Sequence, residues 1–128
     1  MVKKYKTKEL YICFALNRLV QELDIDLYQE GLEEDVEIIL LHQKGIPKTE
    51  ISYEIRTNHH QTNKILEFLI EKNYIDVEKG DRSYNVKITR DGLLYIRRFN
   101  EFFISMYEDI IRDHYKYKKL PAWFNVRR

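Results

Sequence analysis

Side chains that can read or hold a nucleic acid are concentrated in the segment that begins at Asn58. Amide groups such as those of Gln61 and Asn63 can pair with adenine edges in the major groove, and a lysine can bind guanine or a phosphate. The candidate base-contacting residues are His59, His60, Gln61, Asn63 and Lys64. Every amphipathic helix has a polar, solvated face, and composition alone favours that simpler interpretation. The predicted elements on either side of this segment distinguish base contact from a merely solvated face.

Residues that could bind the phosphate backbone lie on both sides of this segment. Arg82, next to Gly80, is the best candidate for a contact with the minor groove or a phosphate. The alternative is an ion pair between Asp81 and Arg82 that only orders a hairpin turn. The candidate backbone-contacting residues are Lys48, Thr49, Lys79, Arg82 and Lys87, with Lys44 as a further one.

Residues suited to catalysis or metal binding do not form a recognisable pattern. The four histidines lack the spacing of metal ligands, and the adjacent pair points to different faces of a helix. The four glycines are isolated, which excludes a glycine-rich phosphate loop. Cys13 is the single cysteine, so we expect a small buried hydrophobe and no internal disulfide. We predict no catalytic residues, no metal site and no cofactor, and therefore no enzyme.

The chain has the length and composition of one folded domain, with 128 residues of which 44% are hydrophobic. Its net charge of +1 conceals an uneven distribution. Residues 19–43 contain eight acids and neither lysine nor arginine, whereas residues 1–8 and 112–128 are basic. Such opposed faces would attract phosphate on one side and repel it on the other. No apolar run, Ile38–Leu41 included, is long enough for a membrane span, and we expect a cytoplasmic protein.

Apolar periodicity and capping residues predict five helices and a β-hairpin. Thr7 is a candidate N-cap of the first helix, and Pro47 suits the first position of the third. Asn58, with Gln61 three residues later, forms a variant of the capping box before the fourth helix. The predicted helices cover residues 7–24, 32–44, 47–56, 58 onward and 90–118, and the predicted strands cover 74–78 and 83–89. A helix, a turn, a second helix and two strands, in that order, are typical of a winged helix-turn-helix.

Residues 45–92 resemble winged helix-turn-helix transcriptional regulators. The residues that carry the resemblance are Glu50-Ile51, Tyr53, Asn58, Leu66-Glu67, Leu69 and Asn73-Tyr74-Ile75, followed by Asp81-Arg82, Val86, Ile88, Thr89 and Gly92. The first groups are similar to small archaeal regulators, and the last group is similar to the wing of the MarR/SarA family. That family's wing is longer and richer in arginine, and Tyr74 stands where a glycine is common. The resemblance implies dimers on double-stranded DNA, with the fourth helix in the major groove and the wing in the minor groove.

The resemblance and the predicted elements together imply the fold class. It is mainly α with a small β-hairpin (α+β), a winged helix-turn-helix flanked by N-terminal and long C-terminal dimerisation helices. The single domain, 1–128, divides into an N-terminal helix and connection (7–31), the winged-helix core (32–92), the C-terminal helix (90–119) and a tail (120–128).

A seven-residue repeat of apolar side chains in the last helix predicts a dimer interface. The predicted interface residues are Ile96, Phe99, Phe103, Met106, Ile110, Tyr117, Leu16 and Leu19. The alternative is a helix that folds back on its own domain. The tail that contains Trp123 and Phe124 is expected to dock on the partner subunit and to leave Arg127 and Arg128 free for DNA. Stacking of these aromatic rings on single-stranded bases is the less favoured alternative.

These observations predict a sequence-specific, double-stranded DNA-binding transcriptional regulator, a homodimeric repressor that acts by occlusion. A small-molecule effector, which the sequence does not identify, could lie between the dimer helices and the winged domain. The alternative function is a winged-helix module for protein–protein assembly without DNA readout, whose acidic 19–43 surface would meet a basic partner. No membrane partner is expected.

Overall fold

The computed structural model of this protein describes residues 7–80 and 84–124, and its helices and strands follow the predicted order. The α-helices of these residues are α1 Lys8–Glu22, α2 Leu32–Leu41, α3 Lys48–Ile55, α4 His59–Glu71 and α5 Arg90–His114, and a short 3-10 turn covers Ala122–Phe124. The strands are β1 Ile46–Pro47, β2 Ile75–Lys79 and β3 Tyr84–Ile88. The α+β winged helix-turn-helix prediction is confirmed.

The predicted helix starts at Thr7 and Asn58 are confirmed by hydrogen bonds. The Thr7 hydroxyl accepts from the backbone N–H of Leu10, and the Asn58 side chain accepts from the backbone N–H of Gln61 at 2.8 Å. Each bond satisfies an amide that the first helical turn would otherwise leave without a partner. These two caps therefore define where α1 and α4 begin.

The wing contains a third strand that the sequence analysis missed. Pro47, predicted as the first residue of the third helix, instead ends β1, and α3 begins one residue later. Strand β1 pairs antiparallel with β3, which lies between β1 and β2. The side chain of Gln43 extends this edge, since it donates to the backbone oxygen of Ile88 and accepts from its N–H. The sheet thus joins the start of α3 directly to the wing.

The end of α4 and the start of α5 are held together by backbone contacts. Asn73, in the left-handed conformation (φ 61°), turns the chain out of α4 without the glycine that is common at the next position. The backbone oxygen of Tyr74 accepts from the N–H of Thr89, and the Thr89 hydroxyl donates to the oxygen of Asn73. A Cβ atom at Gly92 would lie 2.1 Å from the Tyr74 oxygen, so only glycine fits there. This close approach explains why a glycine stands at position 92, at the end of the wing motif.

The core lies around α1, which is buried on nearly all sides from Leu10 to Val20 and packs against α3, α4 and α5. Leu16 and Leu19 on α1, and Ile96 and Phe103 on α5, are at most 3% exposed in the single chain. These four predicted interface residues therefore hold α1 and α5 together within one subunit. Their burial favours the alternative of a helix that folds back on its own domain for this part of α5, and a dimer contact by these four residues stays a prediction.

A buried polar cluster joins the same two helices. The side-chain amides of Asn17 and Asn100, both fully buried, donate to each other's oxygen atoms at 2.8 and 2.9 Å. Asn100 also donates to the hydroxyl of Tyr28, and the Cys13 thiol lies against the Asn100 oxygen. Burial raises the pKa of the Cys13 thiol far above its ordinary value, which supports its prediction as a buried hydrophobe.

The C-terminal tail packs on its own subunit. Trp123 and Phe124 are 6% and 8% exposed, and the Trp123 ring lies 6.3 Å from Phe14 on α1 and 6.2 Å from Tyr115. The expectation that these two rings dock on a partner subunit is therefore wrong, because Phe14 and Tyr115 lie beside Trp123 and Arg112 of α5 lies over the Phe124 ring. Arg127 and Arg128 lie outside the described residues.

Candidate nucleic-acid interface

The turn between α3 and α4 is held by hydroxyl groups that lie in the interface of the two helices. Helix α3 ends at Arg56, whose left-handed conformation (φ 53°) redirects the chain. The fully buried Thr62 of α4 donates to the backbone oxygen of Asn58 and accepts from the Ser52 hydroxyl of α3, whose oxygen lies 3.0 Å away. The backbone oxygen of Thr57, 3.1 Å from the Ser52 hydroxyl, is the alternative acceptor for the same proton. These contacts set the angle at which α4 leaves α3.

Helix α4 has one buried face and one open face. Its buried residues are Thr62, Ile65, Leu66 and Leu69. The predicted base-contacting residues His59, His60, Gln61 and Lys64 are exposed, and Asn63 is half-buried. All of them lie in the first two turns, whereas the acids Glu67 and Glu71 lie in the last two. The N-terminal half therefore presents amides, imidazoles and a lysine to solvent with no carboxylate on the helix there, at the end where the helix dipole is positive.

A groove of about 340 Å³ runs between the start of α3 and the start of α4. Lys48, Thr49, Tyr53, Arg56 and His59 line it, so two predicted backbone-contacting residues lie beside a predicted base-contacting one. Arg56 is exposed and was not predicted, although its position directly before the capping residue of α4 could have suggested it. The geometry brings a cationic edge next to the open face of α4.

The pairing register of the wing divides its lysines between two faces. Lys79 pairs with Tyr84, and Val77 pairs with Val86, so these side chains share the face of the sheet that turns toward α4. A second groove, of about 280 Å³, lies between this face and α4; Lys48, Asn63, Glu67 and Tyr84 are among its lining residues. Lys79 therefore lies on the same side of the sheet as α4, the helix predicted to contact bases and called the reading helix below.

Lys87 does not share this position. It pairs with Asp76 on the opposite face of the sheet, and its ammonium lies 3.2 Å from the Glu78 carboxylate. Lys87 therefore lies on the face of the wing opposite to the one that turns toward α4, because alternate residues of a strand point to opposite faces, and its contact with DNA stays a prediction. Arg82 and Asp81 lie outside the described residues.

The acidic segment 19–43 is partly paired with arginines of its own subunit. Arg90 lies 3.1 Å from Glu37, and Arg97 lies 3.8 Å from Glu33, so α5 neutralises part of α2. Three of the four side chains are 44–73% exposed and Arg97 is 27% exposed, and such surface pairs contribute little to stability. Their effect is to neutralise part of the negative charge of α2.

Two further observations limit the chemistry of the described part of the chain. No group of three or more metal-ligating side chains occurs within residues 7–80 and 84–124. No helix in these ranges combines the length and the apolar content that crossing a bilayer requires.

Comparison with known proteins agrees with this geometry. A protein-family model described as winged helix-turn-helix matches residues 36–106, more than half of the chain. A search of curated proteins gives no match.

Several solved structures also match the chain. One is MepR, a transcription regulator of the Staphylococcus aureus multidrug efflux pump MepA, with 16% identity and a TM-score of 0.44 over 80% of this chain and 75% of that chain. Another is the PcaV transcriptional regulator from Streptomyces coelicolor, with 17% identity and a TM-score of 0.48 over 88% of this chain and 77% of that one. A mutant MarR from E. coli, complexed with operator DNA, has 17% identity and a TM-score of 0.38 over the same shares of the two chains.

The α3–α4 pair, the open face of α4 and the three-stranded sheet form a winged helix-turn-helix. The family model that covers this region shows that the chain belongs to the winged helix-turn-helix family.

Proposed function

We propose that this protein is a sequence-specific, double-stranded DNA-binding transcription regulator in which α4 enters the major groove. One observation carries the proposal: the polar N-terminal half of α4 is open to solvent, while its apolar half is held in the core by α1 and β2. A helix of about 10–12 Å diameter fits the major groove only if one side stays free of its own protein. We place the wing on the minor groove or on the backbone, and we expect the cytoplasm as the location.

The test begins with selection of bound sequences from a random duplex pool. Gln61→Ala and Asn63→Ala should then weaken binding to the selected duplex by about 10- to 100-fold, since a bidentate amide–adenine contact contributes about 1–3 kcal/mol of discrimination. Binding to an unrelated duplex should change little. Glu71→Gln, at the far end of the same helix, is the matched control and should leave the ratio of the two affinities unchanged. Equal losses on both duplexes would refute base reading by α4.

A homodimer is proposed on the evidence of the outward face of α5. Met106 and Phe102 are 61% and 54% exposed, Phe99 and Ile110 are half-buried, and Tyr117 is 81% exposed. Exposed apolar residues grouped on one helix mark an interaction surface, and Tyr117 follows three residues after the end of α5. These residues include the four predicted interface residues that are not fully buried. Two reading helices about 34 Å apart would match successive major grooves on one side of a duplex. We propose repression by occlusion of the bound DNA.

A cavity of about 520 Å³ supports the proposed small-molecule effector. It lies between the end of α1, the connection that follows it, and the tail; its lining includes Asn17, Asp26, Tyr28 and Trp123. Mixed apolar and polar walls of this size are typical of ligand sites. The cavity lies beside α1, away from the position between the dimer helices and the winged domain that the sequence suggested, because none of its lining residues belongs to α5, the wing or the α3–α4 groove.

Use of the fold as a protein–protein module without DNA readout remains the second candidate. The observation that favours it is the run of exposed acids at the start of α2, Glu33, Glu34 and Asp35, which could meet a basic partner. Failure of the selection to enrich any sequence, together with a complex in which α4 is buried, would support this function over DNA binding.

A further inference from the structure

Two tyrosines beside α4, Tyr53 and Tyr84, are exposed to solvent. Neither has a role in the base contacts proposed above. Tyr53 of α3 is 81% exposed, and its hydroxyl makes no hydrogen bond to any of residues 7–80 and 84–124. The hydroxyls of Tyr28 and Tyr115, by contrast, are both hydrogen-bonded within the subunit. A large ring that gains neither burial nor a partner in the free protein is available to a ligand.

Tyr84, at the start of β3, is 44% exposed and lies next to two lysines. Lys48 of α3 places its ammonium 5.7 Å from the centre of the Tyr84 ring, and Lys79 of β2 is the pairing partner of Tyr84 across the hairpin. The sheet face that carries Lys79 and Tyr84 is the one that turns toward α4. The Lys48 ammonium therefore lies over this ring, and Lys79 is the neighbour of Tyr84 on the same sheet face.

Lys48 joins the two tyrosines into one surface. It lines both the groove that contains Tyr53 and the groove that contains Tyr84, so the two grooves meet at this side chain. We call the resulting surface the tyrosine–lysine strip; it consists of Tyr53, Lys48, Tyr84 and Lys79. It runs from α3 to the wing along one side of α4, past Asn63.

We propose that the tyrosine–lysine strip binds the sugar–phosphate backbone of one DNA strand at the edge of the major groove that α4 enters. The inference rests on the function proposed above, and it identifies residues that contact the DNA backbone in that function. Ammonium groups neutralise phosphates, tyrosine hydroxyls donate to phosphate oxygens, and the ring faces can cover the apolar side of a deoxyribose. Glu67 also lines the second groove, and its carboxylate would repel a phosphate, so the strand lies on the Lys48 and Lys79 side.

Backbone contacts and base contacts differ in what they do to affinity, which makes the strip testable. Contacts with the backbone position the protein and carry no sequence information directly. Tyr53→Phe and Tyr84→Phe, which keep the ring, should therefore weaken binding to the selected and to an unrelated duplex alike, by about three- to tenfold for one lost hydrogen bond. Lys48→Met should also weaken both and should reduce the slope of log affinity against log salt by about 0.9. The tyrosine variants should leave that slope unchanged.

The measurement is fluorescence anisotropy of labelled duplexes titrated with the full chain at several salt concentrations. Leu41→Ala on α2 is the matched control, because Leu41 is 82% exposed and lies outside both grooves. Tyr53→Ala and Tyr84→Ala extend the series to loss of the whole ring, and unfolding curves of each variant confirm that the fold is kept.

Each outcome decides the proposal. Unchanged affinity in all four tyrosine variants, while Gln61→Ala still weakens the selected duplex, would overturn the strip and leave the proposed function intact. Losses confined to the selected duplex would also overturn it, because the tyrosines would then read bases. If the unaltered chain binds neither duplex, the strip and the proposed function fall together.

Discussion

Replacement of Asn100 by leucine should destabilise the fold by an amount that its hydrogen bonds define. Asn100 exchanges two hydrogen bonds with Asn17 and donates a third to Tyr28, and both asparagines are fully buried between α1 and α5. Leucine has a similar shape, so Asn100→Leu removes polar partners with little change in packing. It leaves the Asn17 side-chain oxygen buried without its donor.

The expected loss follows from the number of bonds and from that stranded oxygen. Three hydrogen bonds at about 1 kcal/mol each give about 3 kcal/mol for Asn100→Leu, less some gain from burying an apolar side chain. A loss of this size would lower the midpoint of thermal unfolding by about 10 °C in a domain of this length. The double variant Asn17→Leu/Asn100→Leu should recover much of the loss, because replacing both partners by apolar groups strands neither amide.

The assay is a double-mutant cycle in urea, followed by circular dichroism at one fixed protein concentration. Fixed concentration matters because association of subunits would itself change the apparent stability. We expect a coupling free energy of about 2 kcal/mol between the two positions and an unchanged dependence on urea. If the two single losses simply add in the double variant, or if Asn100→Leu raises stability, the buried pair does not join α1 to α5 as argued.

Three further predictions concern the reading helix, the subunit interface and the response to pH. Thr62→Val should lower the free energy of unfolding in urea by about 1–2 kcal/mol, since it removes the hydroxyl that joins α3 to α4. It should also weaken DNA binding. Unchanged stability and affinity would show that the hydrogen bond between Ser52 and Thr62 does not fix the angle between the two helices. Met106→Glu should convert a dimer to a monomer, as measured by the sedimentation mass. An unchanged mass would show that the outward face of α5 is not the dimer interface. Burial raises the pKa of Tyr28 from 10.0 to about 12, so the folded state favours its neutral form. The stability that this provides is complete below pH 10 and is lost as the pH rises from 10 to about 12, and Tyr28→Phe should flatten that loss in unfolding curves.

The parts of the fold that depend on local chemistry could be predicted from the sequence. Thr7 and Asn58 are N-caps in the structure because a hydroxyl or amide oxygen can satisfy a nearby backbone N–H without help from the rest of the chain. The two longer wing strands alternate in sequence as they alternate in burial, with Val86 and Ile88 inside. The open face of α4 was likewise visible from the spacing of its apolar residues.

The parts of the fold that depend on contacts between residues far apart in the sequence could not be predicted. Strand β1 has two residues, too few for any alternation, and it exists because β3 offers it a free edge. The seven-residue repeat of α5 does not follow its buried face over the whole helix. The backbone leaves regular helical geometry at Tyr107 (φ −128°, ψ 24°), and this kink turns the later residues relative to the earlier ones. By the end of α5, Ile111 and His114 have replaced Ile110 and Tyr117 on the inner face. The exposure of Tyr53 and Tyr84 depends on how α3 and the wing meet, which no local pattern contains.

The same distant contacts decide how the reading helix is presented. Tyr115, just past the end of α5, donates to the Glu54 side chain of α3, and His114 donates through Nε2 to the Glu54 backbone oxygen. On the other side, Arg18 of α1 lies 2.9 Å from Glu50 of α3. Helix α3 cannot tilt without breaking these bonds, two of which involve buried side chains of α5 and its end. Since Ser52 and Thr62 join α3 to α4, a change in the direction of α5 would be passed to α4 through α3. The spacing of the two reading helices in a dimer would then depend on the flanking helices as much as on the winged core.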